Sequence, residues 1–462
     1  MMHCFIEQDA QAVPVELIPA SDFDGWITDQ PEDLRNWAAS TGFTGKAGSV
    51  SLIAGADGAL ARVLFAHATD PGIWDWAPLP AELPDGTYRI EGEAKPADLN
   101  DLALAWGMNA YAFIRYKSED KPKDSTGPVL VWPEDCDRDG VVSTAEATNL
   151  VRDLINTPAS DMGPPELAAA AADLASSHEA EYSVIEGDDL LDQNFPAIHA
   201  VGRAHDRAPR LIDIRWGASD APKVTLVGKG VCFDTGGLDI KSTAGMKLMK
   251  KDMGGAAHVL GIAAMVMDAA LPIRLRVLVP AVENSISANA MRPGDVVPTR
   301  HGQTIEIGNT DAEGRVILAD ALFEAASEAP ELIVDFATLT GAARVALGTD
   351  LPALFCNDDI FATALLEAST AVGDPLWRMP LWAGYDKQVN GKIADLTNAP
   401  EGGYGGAITA ALFLQRFVTE PISWAHIDVM AWNIAQRPGR PEGGEAMGVR
   451  AVFEALRARF AP

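Results

Sequence analysis

The sequence predicts an α/β protein of two domains, the larger one built on a mixed, largely parallel central sheet flanked by helices. Three observations carry that expectation. Runs rich in Val, Ile and Leu at 223–227, 274–280 and 332–337 read as strands buried on both faces. Helical stretches alternate with them, as they do where helices cover both faces of a sheet. Two glycine-rich segments bearing acids then follow such a strand or precede a helix, which is where open α/β sheets place their chemistry.

In chain order, residues 1–143 form the smaller N-terminal α/β domain. Strand-like runs at 50–54, 61–66 and 88–90 alternate there with Pro, Gly and Asp punctuation. A helical pattern covers 98–116, and 120–127 reads as an exposed loop. A strand at 128–132 leads to a helix over 144–155, which must end before Pro158 because a proline ring disfavours helix at the preceding residue. Residues 144–160 therefore read as an interdomain helix and linker, and 161–462 as the larger domain. In that domain, 165–177 is helical, 182–186 is a strand, and 256–270 and 316–326 are apolar helices.

Composition narrows the function. Apolar residues make up 48% and charged residues 22%, the balance of a folded globular chain. A formal charge of −29 repels a phosphate backbone, so nucleic acid is not expected as a partner. The four cysteines are scattered, without metal-binding spacing, and suit a reducing, cytoplasmic setting. The apolar stretch 256–272 carries His258 and Asp268 and is too short to span a bilayer, so no membrane partner is expected.

Two clusters stand out. The first runs Val227-Gly-Lys-Gly-Val-Cys-Phe-Asp-Thr-Gly-Gly-Leu-Asp-Ile-Lys241 and continues through Lys251-Asp-Met-Gly-Gly255. It holds Lys229, Asp234, Lys241 and Asp252 among glycines that permit close backbone approach. Gly228 and Gly230 begin a dinucleotide-type pattern, but Phe233 occupies the third glycine position. The second cluster, Asn309-Thr-Asp-Ala-Glu-Gly-Arg315, carries Asp311, Glu313 and Arg315 at the start of an apolar helix, a pattern also compatible with an ordinary helix cap. Taken together, Asp234, Asp252, Asp311 and Glu313 are the inventory of an oxygen-rich site for hard divalent ions. Four acids in one cleft need cations to neutralise them, and two bridged cations would generate a hydroxide at neutral pH.

These segments resemble the leucyl aminopeptidase (cytosol aminopeptidase) family. The heptapeptide 309–315 is similar to its signature, and the Gly228-Lys-Gly to Asp-Met-Gly-Gly block to its other catalytic segment. The likeness covers about 145–455, including Arg152-Asp-Leu-Ile-Asn-Thr-Pro158 and Ala337-Thr-Leu-Thr-Gly341, while residues 1–130 carry no matching motif. The resemblance implies a metal-dependent aminopeptidase that releases N-terminal amino acids from peptides by means of a hydroxide bridging two cations, Mn2+ or Zn2+. It implies that Asp234 and Glu313 bridge the two ions, that Asp311 completes one site, and that Lys229 and Asp252 complete the other. It further implies that Lys241 polarises the scissile carbonyl and that Arg315 holds a bicarbonate acting as general base. By the same resemblance, Met249, Thr338, Gly341 and either Ala446 or Met447 fall at or near the pocket for the N-terminal side chain, where small and apolar residues would suit leucine or methionine. The family also implies a homo-hexamer. Thr235, Cys232 and Val316 depart from its usual residues without removing a ligand.

The same residues admit other readings. A non-catalytic binding or regulatory protein on this fold is the main alternative. Residues 135–146 match the acids and glycine of an EF-hand calcium loop, but the strand-like segment before them is not the incoming helix that such a loop needs. His258, His301 and His426 have no metal-pair spacing and read as structural.

Overall fold

A computed structural model describes residues 2–92, 94–118, 127–419 and 421–461. Contacts divide the chain into two compact units, Met1–Asn149 with Ala435–Glu442, and Leu150–Ile434 with Gly443–Pro462.

The first unit is a six-stranded sheet in the order Phe5–Ile6, Pro128–Val131, Gly86–Glu91, Val13–Pro19, Leu60–His67, Val50–Ala54. All its pairings are parallel except the last, between Leu60–His67 and Val50–Ala54. Period-2 alternation along Leu60–His67 gives it two cores. Val63 and Phe65 pack with Trp76, Tyr88 and Trp106, whereas Leu64 and Ala66 pack with Ile18, Phe23 and Phe43. The helix expected over 98–116 is shorter, Pro96–Asn109, and closes with the Ala110 N–H on the Trp106 carbonyl. Of the loop expected at 120–127, residues 120–126 lie outside the described residues.

The helix expected from 144 begins six residues earlier, at Arg138–Asn156. The cause is Asp137, whose carboxylate accepts the Gly140 N–H at 3.1 Å and so caps the helix. That cap also disposes of the EF-hand likeness: the would-be loop from 138 onward, including Gly140, is wound into helix and cannot wrap its carboxylates around an ion.

The second unit carries a mixed nine-stranded sheet. Its order is Trp377–Arg378, Ala353–Cys356, Ser423–Asp428, Leu332–Ala337, Lys223–Gly228, Arg274–Asn284, Arg210–Trp216, Glu181–Glu186, with Gly230–Asp234 also pairing on Arg274–Asn284. The four central strands are mutually parallel, and antiparallel neighbours flank them on both sides. Leu332–Ala337 is buried at every position, and its one charged residue, Asp335, is satisfied inside by Trp424 and His426, so the run is otherwise apolar. The helix Gly254–Asp268 is likewise buried from Gly254 through Met267, covering the sheet rather than crossing a membrane. Among the described residues no helix is long and apolar enough to span one.

One feature of this sheet positions everything that follows. Lys223–Gly228 does not turn into a helix after its glycine, as a dinucleotide loop requires. It breaks for one residue, Lys229, and resumes as Gly230–Asp234, which pairs with Ala281–Asn284 farther along the same neighbour. At the break, the Lys229 N–H donates to the Phe336 carbonyl at 3.0 Å and its own carbonyl accepts the Ala256 N–H at 2.8 Å. The side chain of Lys229 is thereby ejected from the ladder at the carboxyl end of the central strands.

Candidate active site

Each side chain of the candidate centre arrives from a different element. Lys229 comes from the strand break and Asp234 from the end of Gly230–Asp234. Asp252 sits in the short 3-10 turn Met249–Met253, and Glu313 on the first turn of Glu313–Ser327. Gly255 is needed because a Cβ there would lie 2.1 Å from the Phe336 carbonyl oxygen, so only glycine lets this helix approach the strand. Gly314 plays the same part for Lys229, whose Cε would stand 2.5 Å from a Cβ at that position.

Carboxylate oxygens of Asp234, Asp252 and Glu313, all buried, come within 4.8 Å of one another. Lys229 Nζ stands 2.8 Å from Asp252 Oδ2 and 2.9 Å from Glu313 Oε1. Lys241 Nζ is 2.7 Å from Asp234 Oδ2 and pairs with Asp311, bringing the fourth acid to the group. These four acids and two lysines converge although the stretches that supply them are separated by up to 84 positions in the numbering, from 229 to 313. A cavity of about 360 Å³ is lined by Lys229, Asp234, Lys241, Asp252 and Asp311, and by Met249, Thr338 and Gly341 of the expected side-chain pocket. Glu313 joins through its ion pair with Lys229; Arg315 and Met447 do not line this cavity.

The electrostatics show a site with too much negative charge for its lysines. Burial, with Glu313 and Asp252 nearby, pushes the Asp234 carboxyl up to about 8. Burial likewise raises Glu313, while Asp252 is held below the usual carboxylate range because Lys229 and Lys251 outweigh its own burial. Burial works against the Lys229 and Lys241 ammonium groups, yet the surrounding carboxylates hold both above the ordinary lysine value. Glu313 Oε2 is buried without a hydrogen-bond partner, while Glu313 Oε1, Asp252 Oδ2 and Asp311 Oδ1 have only a lysine ammonium beside them. Buried, clustered carboxylates that outnumber their lysines match the donor set of hard divalent cations. Arg315 is buried as well, its Nε has no partner, and burial lowers its pKa to about 10.

The contacts that support these acids left no signal in the sequence, although Thr338 itself was expected at the pocket. Asn284 donates from Nδ2 to Asp234 Oδ1 and to the Thr310 carbonyl, at 2.8 and 3.0 Å, fixing the acid's orientation. Thr338 donates from Oγ1 to Asp252 Oδ1 at 2.7 Å, in addition to facing the cavity. Asn398, fully buried, accepts the Gly308 N–H and donates to the Asn309 and Ala312 carbonyls, holding the 309–315 loop. For Asn284, partners 26 to 50 positions away leave no local signal.

The histidines are structural. His301 packs edge-on against Phe323, and His426 pairs with Asp335 at 2.6 Å. His258 donates from Nδ1 to the Gly254 carbonyl at 2.6 Å and accepts the Met447 N–H on Nε2 at 2.9 Å, so the neutral ring ties two segments together. Burial depresses its pKa from 6.5 to about 4. Between those values the unfolded chain binds the extra proton, so stability rises with pH across the window and is lost as pH falls through it. The expected loss from this group is roughly 3 kcal/mol between pH 7 and pH 4. Urea unfolding of wild type and His258→Gln checks this, since the variant should lack that part of the slope; identical slopes would refute the assignment.

An α/β sheet whose carboxyl ends gather buried acids and lysines around an open cavity suits a metal-dependent hydrolase. Family comparison gives the particular class. Residues 149–453 match the cytosol aminopeptidase family, catalytic domain, and residues 13–126 match the M17 aminopeptidase N-terminal domain. The chain belongs to the cytosol aminopeptidase family and is a leucyl-type metalloaminopeptidase. It is 42% identical over 366 residues to a probable cytosol aminopeptidase of Roseiflexus castenholzii, covering 76% of this chain and 74% of the relative. With a probable cytosol aminopeptidase of Sinorhizobium medicae it shares 37% identity across 97% and 96% of the two chains. A crystal structure of cytosol aminopeptidase from Coxiella burnetii superposes with a TM-score of 0.94 at 49% identity, covering 99% of each chain. The bottromycin maturation enzyme BotP in complex with Mn gives a TM-score of 0.88 at 32% identity, covering 97% and 100%. The N-terminal match reaches a region in which the sequence offered no motif.

Proposed function

We propose that this protein removes N-terminal amino acids from peptides at a two-cation centre held by Lys229, Asp234, Asp252, Asp311 and Glu313. The observation that carries the reading is the buried set of acids, Asp234, Asp252 and Glu313 within 4.8 Å, beside a cavity roomy enough for one residue. Two divalent cations bound there, Mn2+ or Zn2+, would supply a nucleophilic oxygen at neutral pH and a Lewis acid for the carbonyl. Manganese in BotP, a relative of the same fold, is consistent with that choice.

The chain's own groups do the rest. Asp234 is presented by Asn284 and the Gly236 N–H, both at 2.8 Å, so its second oxygen faces the centre. Lys229, charged while only carboxylates surround it, would serve as a neutral amine ligand if two neighbouring cations lowered its pKa enough to drive off its proton. Lys241 keeps its proton, since Asp234 and Asp311 hold it charged, and donates to the substrate carbonyl as negative charge develops there. Arg315, buried with a free Nε, holds an anion such as bicarbonate that takes up the proton of the attacking water. A substrate amine seated against Lys229 and Asp252 restricts cleavage to the first peptide bond. Free cysteines throughout the chain fit a cytoplasmic setting, and a homo-hexamer is the assembly the family likeness suggests.

The test is hydrolysis of leucyl-p-nitroanilide by chelator-treated protein resupplied with Mn2+ or Zn2+. Activity should return as two equivalents per chain bind. Cation binding without hydrolysis of any amino-acyl amide would favour a non-catalytic role instead.

A further inference from the structure

A buried acid outside the cluster holds one wall of the cavity. Asp428 ends the strand Ser423–Asp428, and parallel pairing sets it beside Ala337, the last residue of Leu332–Ala337. The Val429 N–H donates to the Ala337 carbonyl at 2.9 Å, which ties the two strand ends together. From there the Asp428 carboxylate reaches the turn that leaves Ala337. Its Oδ1 accepts the Leu339 and Thr340 N–H groups at 2.9 and 3.2 Å, and its Oδ2 accepts the Thr340 hydroxyl at 2.6 Å. Asp428 is 4% exposed, and all three donors are uncharged groups. A buried carboxylate is costly without such donors, and hydrogen bonds to an ionised acceptor are roughly twice as strong as those between neutral groups. One side chain therefore grips two successive residues of the turn.

The shape of that turn matters because of what it carries. The Thr338 carbonyl accepts Lys229 Nζ at 3.1 Å, and the Thr338 hydroxyl donates to Asp252 Oδ1 at 2.7 Å, leaving Asp252 Oδ2 beside Lys229. Thr338, Leu339 and Gly341 line the cavity. Thr340 also caps the helix Gly341–Leu347, its hydroxyl oxygen accepting the Ala343 N–H at 3.0 Å. One residue of the turn thus touches both groups proposed to seat the substrate's amine, and its neighbours wall the space for the first side chain. The opposite end of the centre is held without Asp428. There Thr310 Oγ1 donates to the Gly236 carbonyl at 2.6 Å and Asp239 Oδ2 accepts the Thr310 N–H at 2.8 Å, joining the loop of Lys241 to that of Asp311.

We infer that Asp428 is a positioning residue for one half of the centre: through the Leu339–Thr340 turn it sets Thr338, and through Thr338 it sets Lys229 and Asp252. The inference rests on the two-cation peptidase reading of the adjoining cluster. It requires that a change at Asp428 act unequally. The cation at Lys229 and Asp252, and the seat of the substrate's N-terminal residue, suffer more than the cation at Asp311. A residue that served stability alone would weaken both ends alike.

The test titrates Mn2+ calorimetrically into chelator-treated wild type, Asp428→Asn, Thr340→Val and Thr340→Ser. Asp252→Asn and Asp311→Asn are run alongside to mark which cation each end holds. In Asp428→Asn an oxygen remains for the two N–H groups, but an amide NH2 faces the Thr340 hydroxyl; Thr340→Val removes that hydroxyl and Thr340→Ser keeps it. Asp428→Asn and Thr340→Val should each weaken the cation marked by Asp252→Asn by roughly 10-fold or more, and leave the other near its wild-type affinity. Thr340→Ser should match wild type, and the double variant Asp428→Asn with Thr340→Val should lose little beyond Asp428→Asn alone, because both changes break one link. With Mn2+ saturating, KM for leucyl-p-nitroanilide should rise about 10-fold in Asp428→Asn, with a smaller change in kcat. Equal weakening of both cations, unchanged affinities in Asp428→Asn and Thr340→Val, or Thr340→Ser behaving as Thr340→Val would each overturn the inference. If Asp428→Asn fails to fold, the two Thr340 variants decide. Absence of hydrolysis by wild type would count against the peptidase reading, while the Mn2+ titration would still decide the inference; no Mn2+ binding by wild type would overturn both.

Discussion

Asp234→Asn should lower turnover of an amino-acyl amide by roughly 1,000-fold or more and cost the protein at least one bound cation per chain. The estimate follows from the several kcal/mol that a bound cation supplies to water activation and carbonyl polarisation, since about 4 kcal/mol is three powers of ten in rate. The substitution is chosen for its shape. An amide oxygen at the same place still accepts from the Gly236 N–H and from Asn284, so the loop that presents residue 234 keeps its geometry. It also relieves strain. Burial and the neighbouring Glu313 and Asp252 push the Asp234 carboxyl up to about 8, so its charge destabilises the cation-free fold near neutral pH. The cation-free variant should therefore melt no lower than cation-free wild type at pH 8, while losing the extra stability that added Mn2+ or Zn2+ confers on wild type. Metal content by emission spectroscopy, melting temperature and kcat measure the three effects. Full cation content with normal turnover would remove Asp234 from the centre.

Lys241→Ala should separate chemistry from cation binding. Its ammonium lines the cavity and is held protonated by the neighbouring carboxylates, and removing one preorganised donor to a developing oxyanion costs about 100- to 1,000-fold in kcat. Cation content should stay close to wild type, because Asp234, Asp252, Asp311, Glu313 and Lys229 all remain. A fall in kcat with little change in KM marks an interaction made only in the transition state. If Lys241→Ala turned over at the wild-type rate, its carbonyl-polarising role would be wrong; if it lost its cations first, the residue would be holding Asp234 and Asp311 in place instead.

The legible part of this molecule was local or repetitive. Leu332–Ala337 and Lys223–Gly228 announce themselves as apolar runs because strands buried on both faces need no polar alternation. The helix Gly254–Asp268 is recognisable for the same reason. The acids of the centre were legible through motif: Asp311 and Glu313 sit two apart on one turn, and glycines mark where backbone must approach closely. Boundaries were harder. Arg138–Asn156 starts at a cap supplied by Asp137, a single side chain inside a stretch that mimics a calcium loop. The strand Gly230–Asp234 was read only as a glycine-rich loop, since its partner residues, Ala281–Asn284, lie some fifty positions away and its own sequence has no alternating pattern.

By itself, the amino-acid sequence determined the class of fold, the family, and a set of acids and lysines that the fold then gathers at one cavity, because each of these depends on residue type and short spacing. Only the tertiary structure decided how those groups meet: that Lys229 is expelled from a broken strand into the carboxylates, and that Asn284, Thr338 and Asn398 hold Asp234, Asp252 and the 309–315 loop in position. The reason is physical. A side chain's burial, its charge state and its hydrogen-bond partners are set by neighbours brought in from distant elements, and no local pattern encodes a contact made across the sheet.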